Sequence, residues 1–160
     1  MPLSETVGLI LIFFVCSVLL IDTLLLFFLK GDSSGDIAAS LFNDTNLPGV
    51  SVLVAARNEE ATLPRCIKSL LDQNYPADKI EILIGNDAST DKTEVIARSF
   101  EREHSLLKVF NIDHEMGSAR GKANVLAQLA GKASGEVYLI TDADMQLPST
   151  WCQAMVAAFE

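Results

Sequence analysis

Val50-Ser51-Val52-Leu53-Val54-Ala55-Ala56 is a nearly continuous apolar run, and it breaks at once into Arg57-Asn58-Glu59-Glu60. The run is too short for a buried helix and too unbroken for a strand with one wet face. It therefore predicts a strand covered on both sides, opening at its end into a polar loop. Reading outward toward the C-terminus, the same phrase returns three times. Ile80 to Gly85 is a second strand leading into Asn86-Asp87-Ala88-Ser89-Thr90-Asp91, Leu107 to Ile112 a third, and Val137 to Thr141 a fourth leading into Asp142-Ala143-Asp144.

Between the strands lie helix-length amphipathic segments. Residues 60 to 72 place Leu63, Ile67, Leu70 and Leu71 on one helical face, with Pro64 tolerable in the first turn and Asn74-Tyr75-Pro76 closing it. Thr90 is read as the N-cap of a helix over 91 to 104, with Asp91 and Glu94 in its first turn. Further helices are expected over 121 to 130 and from Pro148-Ser149 to Glu160. The order βαβαβαβα with apolar strands predicts an α/β domain: a mostly parallel sheet with helices on both faces. Ligands of such sheets bind at the carboxyl ends of the strands.

That rule selects three polar clusters for one edge of the sheet. An Asp-x-Asp triplet alone is commonplace. Placed directly behind an apolar strand and beside Asp87, Asp142 and Asp144 form a pair able to hold a hard divalent cation through one or two oxygens, leaving its other positions to water and phosphate. Such an ion stabilises a diphosphate leaving group. Lys122, in Arg120-Gly121-Lys122-Ala123-Asn124, is either a cation for those phosphates at a helix N-terminus or a solvent-facing first-turn lysine. Asp87 can accept hydrogen bonds from a base or ribose, whereas Ser89 and Asp91 read better as helix caps. Arg57 and Glu59 either bind a nucleotide or pair with each other.

The charge balance excludes another class of partner. From residue 31 onward 19 Asp+Glu oppose 11 Lys+Arg, a net charge of −8, which argues against a nucleic-acid surface. The three cysteines, Cys16, Cys66 and Cys152, have no ligand spacing, so neither a disulfide framework nor a zinc site is indicated. His104 and His114 likewise show no spacing for a metal.

The N-terminus differs in kind from the rest. Val7 to Leu29 is an apolar stretch of 23 residues, about 35 Å as a helix, which suffices to span a hydrocarbon core of about 30 Å. Glu5 and the lack of any basic residue before the run speak against a cleaved signal peptide. Lys30 as the one flanking base places the globular part in the cytoplasm by the positive-inside rule. Asp22 inside the run calls for a protein partner or for water at the interface. The expected organisation is a transmembrane anchor over 1–30, single-pass, a polar linker over 31–48 and a catalytic-type domain over 49–160, located at the cell's inner or plasma membrane.

Four blocks together resemble the family 2 glycosyltransferases, in particular the membrane-bound branch of cellulose, hyaluronan and poly-N-acetylglucosamine synthases. They are Val52-Leu53-Val54-Ala55-Ala56-Arg57-Asn58-Glu59-Glu60, Ile84-Gly85-Asn86-Asp87-Ala88-Ser89-Thr90-Asp91, Gly121-Lys122-Ala123-Asn124 and Thr141-Asp142-Ala143-Asp144. The resemblance implies the GT-A fold, whose nucleotide-binding half is Rossmann-like. It implies that Ala55, Arg57, Glu59 and Asp87 contact the nucleoside, that Lys122 and Asp142 contact the ribose or diphosphate, and that Asp144, with Asp142, holds Mg2+ or Mn2+. It further implies a UDP-sugar donor, a saccharide or lipid acceptor and an inverting transfer. Two departures stand out. The family's Asp-Asp-Gly-Ser is Asn86-Asp87-Ala88-Ser89 here, and the base and acceptor motifs of the family are expected after Glu160. No catalytic base is therefore assigned in this chain, which on its own is expected to bind donor without turning it over.

Other classes fit less well. A sugar-phosphate nucleotidylyltransferase calls for G-x-G-x-R after the first strand, a haloacid-dehalogenase phosphatase for its Asp-x-Asp-x-Thr there, and a nicotinamide-binding domain for G-x-G-x-x-G. A membrane-tethered, GT-A-like binding or regulatory module without catalysis is the remaining non-enzyme alternative.

Overall fold

A computed structural model describes residues 47–159. The sheet has four parallel strands in the order β3-β2-β1-β4: β1 Val50–Ala56, β2 Ile80–Asn86, β3 Leu107–Asn111 and β4 Val137–Asp142. The helices are α1 Leu63–Leu71, α2 Thr93–Glu103, α3 Gly121–Ala130 and α4 Trp151–Phe159. The first three strands step one way across the sheet and β4 returns to the far side of β1. The carboxyl ends of β1 and β4 are consequently the point where the winding reverses, and there a crevice opens between diverging connections.

The register explains what each face buries. On one face Val52, Val54, Ile82, Ile84 and Leu139 meet Leu63, Cys66, Ile67 and Leu70 of α1, Ala97 of α2, and Cys152 and Val156 of α4. On the other, Leu53 and Leu83 meet Val125 and Leu129 of α3. Gly85 permits that second contact, since a Cβ built there would stand 2.3 Å from the Val125 Cγ1. The side chain missing at Gly85 is what lets α3 lie close to β2, and α3 carries Lys122 at its start.

The parallel sheet and the helices on both faces agree with the sequence. Several boundaries shift for local reasons. The first helix begins at Leu63 rather than at 60, after a turn in which Thr62 and Leu63 donate backbone N–H groups to the Glu59 carbonyl. The second begins at Thr93, and Thr90 does not cap it. The Thr90 hydroxyl and amide both turn to Asn58 Oδ1, while Asp91 Oδ1 accepts the Thr93 amide at 2.9 Å. Leu71 is only partly buried. The last helix starts at Trp151 rather than at 148. β4 is apolar as expected but buried on one face only: Val137, Leu139 and Thr141 are buried, while Tyr138 and Ile140 are 47% and 53% exposed. α3 packs mainly on β1 and β2 and meets β4 at its last residue, through Lys122 and Asp142.

No helix among the described residues is long and apolar enough to cross a membrane. The anchor expected over Val7–Leu29 lies outside the described residues, as does most of the linker.

Candidate functional site

The site begins with parity. Residues paired across a parallel ladder point to the same side, and Asp142 pairs with Ala55 at the last rung of β1 and β4. Ala55 lies two residues after Leu53, whose side chain faces α3. Asp142 therefore emerges on the α3 face, and Lys122 in the first turn of α3 reaches its Oδ1 in an ion pair. One residue further the chain reverses. The Met145 amide donates to the Asp142 carbonyl at 3.3 Å, and the methyl of Ala143 is buried, leaving Asp142 and Asp144 on the solvent side of a pinned turn.

The β1 and β2 loops are laced to each other just beside this turn. Asn58 adopts φ 56°, and its amide donates to Ser89 Oγ at 3.0 Å. The Glu59 amide donates to Thr93 Oγ1 at 2.7 Å, the Glu60 amide to Asp91 Oδ2 at 3.1 Å, and the Lys92 amide to Glu60 Oε2 at 2.9 Å. Two loops that belong to different strands are thus tied directly to each other. Ser89, expected as a cap, serves this lacing instead. Ala88 sits at φ 48° in the left-handed region, the position where the family pattern has glycine.

Between the laced loops, the Asp142 turn and the start of α3 lies a cleft of 530 Å³. Ala55, Arg57, Glu59 and Asp87 line one wall, and Lys122, Asp142 and Asp144 the other. The structure brings all seven sequence-predicted residues into one concavity. Arg57 pairs with Asp87 across 3.4 Å rather than with Glu59. The Glu59 carboxylate instead accepts the Thr62 hydroxyl at 2.5 Å, at the entrance to α1. Gly121, at φ 53°, and Val125 line it as well, and Val125 is a residue the sequence did not single out.

Asn86, the amide that replaces the family's first acid, does not line the cleft. It is buried, its Nδ2 donates to Asn111 Oδ1 at 3.2 Å and its Oδ1 accepts the Ser89 amide at 3.3 Å. An unprotonated carboxylate has no donor for the first of these bonds. The substitution thus serves the β2–β3 seam, and Asp87 is left to face the cavity.

Two carboxylates on a turn fit a hard cation bound mostly by water and phosphate. Among the described residues no group of three His, Cys, Asp or Glu side chains gathers to enclose a metal. That open donor set suits magnesium or manganese shared with a ligand and does not suit a closed structural site.

A wound parallel sheet with a polar cleft at its reversal point makes this an α/β domain of a GT-A-like kind. The chain belongs to the family described as Glycosyl transferase family 2, which matches residues 51–160. It is 36% identical to the beta-monoglucosyldiacylglycerol synthase of Nostoc sp. over 72% of this chain and 24% of that protein. It is 32% identical to a poly-beta-1,6-N-acetyl-D-glucosamine synthase of Staphylococcus epidermidis over 78% of this chain and 29% of that protein. The chain thus spans about a quarter of the length of these curated relatives. Among solved structures it resembles the mannosyltransferase PcManGT from Pyrobaculum calidifontis in complex with GDP-Man and Mn2+, with a TM-score of 0.64 at 32% identity, covering 71% of this chain and 32% of that one. It also resembles S. aureus TarS in complex with UDP-GlcNAc, with a TM-score of 0.57 at 28% identity, covering 68% of this chain and 30% of that one.

Proposed function

We propose that the whole protein is a glycosyltransferase that uses a nucleotide-sugar donor, and that the cleft between β1, α3 and the Asp142 turn is its donor site. The observation that carries this reading is the convergence of Asp87, Lys122, Asp142 and Asp144 on one 530 Å³ cavity at the reversal point of the sheet. The nucleoside lies against Ala55, Arg57, Glu59 and Asp87. The diphosphate lies toward Lys122 and the N-terminus of α3, whose free amides favour an anion.

Asp142 and Asp144 would hold Mg2+ or Mn2+, which supplies charge neutralisation to the departing diphosphate. A solved relative binds GDP-Man and another UDP-GlcNAc, so the likeness supports the donor class, and we take UDP as the nucleotide. The transfer proceeds with inversion. The acceptor hydroxyl loses its proton to a base and attacks the anomeric carbon, and the carbon–oxygen bond to the diphosphate breaks with its electron pair on the phosphate oxygen. None of the described residues is assigned as that base. The acceptor is a saccharide or a lipid at a membrane, with the domain tethered on the cytoplasmic side by the apolar run Val7–Leu29. Relatives named for a glycolipid and for a polysaccharide support both acceptor classes.

Calorimetry of the full chain with a UDP-sugar, with and without Mn2+, tests the donor site. Asp142→Ala and Asp144→Ala should each lower the Mn2+-dependent affinity at least tenfold, about 1.4 kcal/mol, with the fold intact. Binding that is unchanged in both variants removes the assignment.

A further inference from the structure

The turn that carries Asp142 and Asp144 is held from behind. Along α1 and the turn that follows it, six hydrogen bonds run to the last residue of β4 and the segment after it. The Cys66 thiol donates to the Asp142 carbonyl at 3.5 Å, and Arg65 Nη2 donates to the Asp144 carbonyl at 2.9 Å. The Leu147 amide donates to Ser69 Oγ at 3.1 Å, Gln73 Nε2 to the Pro148 carbonyl at 2.8 Å, the Cys152 amide to Gln73 Oε1 at 2.9 Å and the Asn74 amide to the Ser149 carbonyl at 2.7 Å. Positions 65, 66 and 69 lie on one stripe of α1, and Gln73 in the turn that follows continues it, so helix and turn together template the segment. Arg65 is an exposed side chain bonded to the backbone of the residue that bears the second acid, and of these six bonds its own is the one that reaches Asp144.

We propose that Arg65 is a positioning residue for the donor site: it fixes the Asp144 end of the turn by its bond to the Asp144 carbonyl. This rests on the donor-site reading given above. Arg65 does not line the donor cleft. It lines a separate cavity of 690 Å³ with Lys68, Ser69, Gln146 and Leu147, so it acts on a ligand through the turn rather than by contact. Without that bond the turn keeps the Cys66 contact at Asp142 and the Ala143 methyl in the core, and the freedom gained falls on Asp144. A single hydrogen bond of this kind changes an equilibrium by about three- to tenfold.

The test uses the full chain and two readouts. In Arg65→Met, amide exchange over residues 143 to 147, Met145 above all, should quicken. The Mn2+-dependent affinity for UDP should fall about three- to tenfold, while the melting temperature drops by no more than a few degrees and the circular-dichroism spectrum is unchanged. Arg65→Lys, which keeps a donor, should restore much of the affinity. The loss should be the same at low and at high salt, because a bond to a neutral carbonyl is not screened as a distant charge is. Unchanged exchange in Arg65→Met overturns the proposal, as does quickened exchange with wild-type UDP affinity, or a loss that vanishes in high salt. Failure of the donor-site reading would show separately, as wild-type UDP binding in Asp144→Ala. In that event Arg65 stands or falls as holder of the turn on the exchange measurement alone.

Discussion

The two edges of this sheet both carry acids, and they treat them in opposite ways. At the amino edge, Glu81 accepts the Ser51 hydroxyl at 2.7 Å and the Ser134 amide and hydroxyl at 2.6 and 2.8 Å, with Lys108 at 3.3 Å. Its side chain is 12% exposed. At the carboxyl edge, Asp142 is paired with Lys122 and Asp87 with Arg57, and Lys122, Asp142 and Arg57 are each more than half exposed. Glu81 is held by short, mostly neutral donors fixed in the chain. The cleft acids are held by long flexible cations, and pairs of that kind add little stability because solvent screens them. Of these two edges, the carboxyl one holds its acids by contacts that can be exchanged cheaply for a ligand.

The strongest way to break the closed edge is to crowd it. A Cβ at Gly135 would stand 2.6 Å from the Ser51 nitrogen, 2.7 Å from its Oγ and 2.7 Å from the Val50 carbonyl carbon. Two of these atoms are strand backbone and cannot step aside. Gly135→Ala should therefore cost about 1–3 kcal/mol in urea unfolding, while the variant that remains folded binds UDP and Mn2+ as wild type does. A comparable loss of donor affinity would mean that the two edges are not independent.

The next largest effect is a titration. Burial alone would raise the Glu81 pKa, but the Ser134 amide, the Ser51 and Ser134 hydroxyls and Lys108 outweigh it and hold the carboxyl down to about 2. The folded pKa lies below the unfolded one, so this carboxylate stabilises the fold above the ordinary carboxylate range and the contribution fades as pH falls toward 2. After discounting for solvent screening the contribution is about 1–2 kcal/mol. Urea midpoints of the wild type measured from pH 5 down to 2 should show this loss, and Glu81→Gln should lack that component. The Cys66 thiol moves the other way. Burial, with Asp144 adding to it, pushes it up to about 11, so the donor to the Asp142 carbonyl stays protonated at any working pH.

The same contrast explains what could be read in the sequence. The strands, their parallel direction and the acids at the strand ends were legible because apolar runs followed by polar loops report directly on strand ends, whereas Ala55, Arg57, Glu59 and Lys122 were picked out through the resemblance of their blocks to the family. The strand order was not legible. That β4 returns beside β1 is a tertiary fact, and it alone puts Arg65 and Cys66 of α1 behind the Asp142 turn. Glu81 gave no signal either: one acid inside Ile80 to Gly85 looks like a solvated edge until Ser134, 53 residues away, arrives to bond it. Thr90 misled because a threonine before an acidic first turn has the form of a cap. The stronger demand came from Asn58, which needed partners for the lacing of two loops.

The smallest predicted effect sharpens the contrast at the open edge, and its sign is the informative part. Ala88 sits at φ 48°, where its Cβ crowds the following carbonyl at a cost of about 1–2 kcal/mol, whereas glycine adopts this region freely. Glycine also loosens the unfolded chain, which returns about 0.4–1 kcal/mol of that gain. Ala88→Gly should therefore stabilise the domain by about 0.5 kcal/mol, seen as a higher urea midpoint with an unchanged slope. The strain persists because Ser89 and Asp87 on either side are held, the first by Asn58 and Asn86 and the second by the bond from its own amide to the Ala56 carbonyl at 2.9 Å. A destabilised Ala88→Gly would mean that the left-handed turn is imposed less by this lacing than by the alanine methyl itself, and the rigid side of the cleft would then have to be looked for elsewhere.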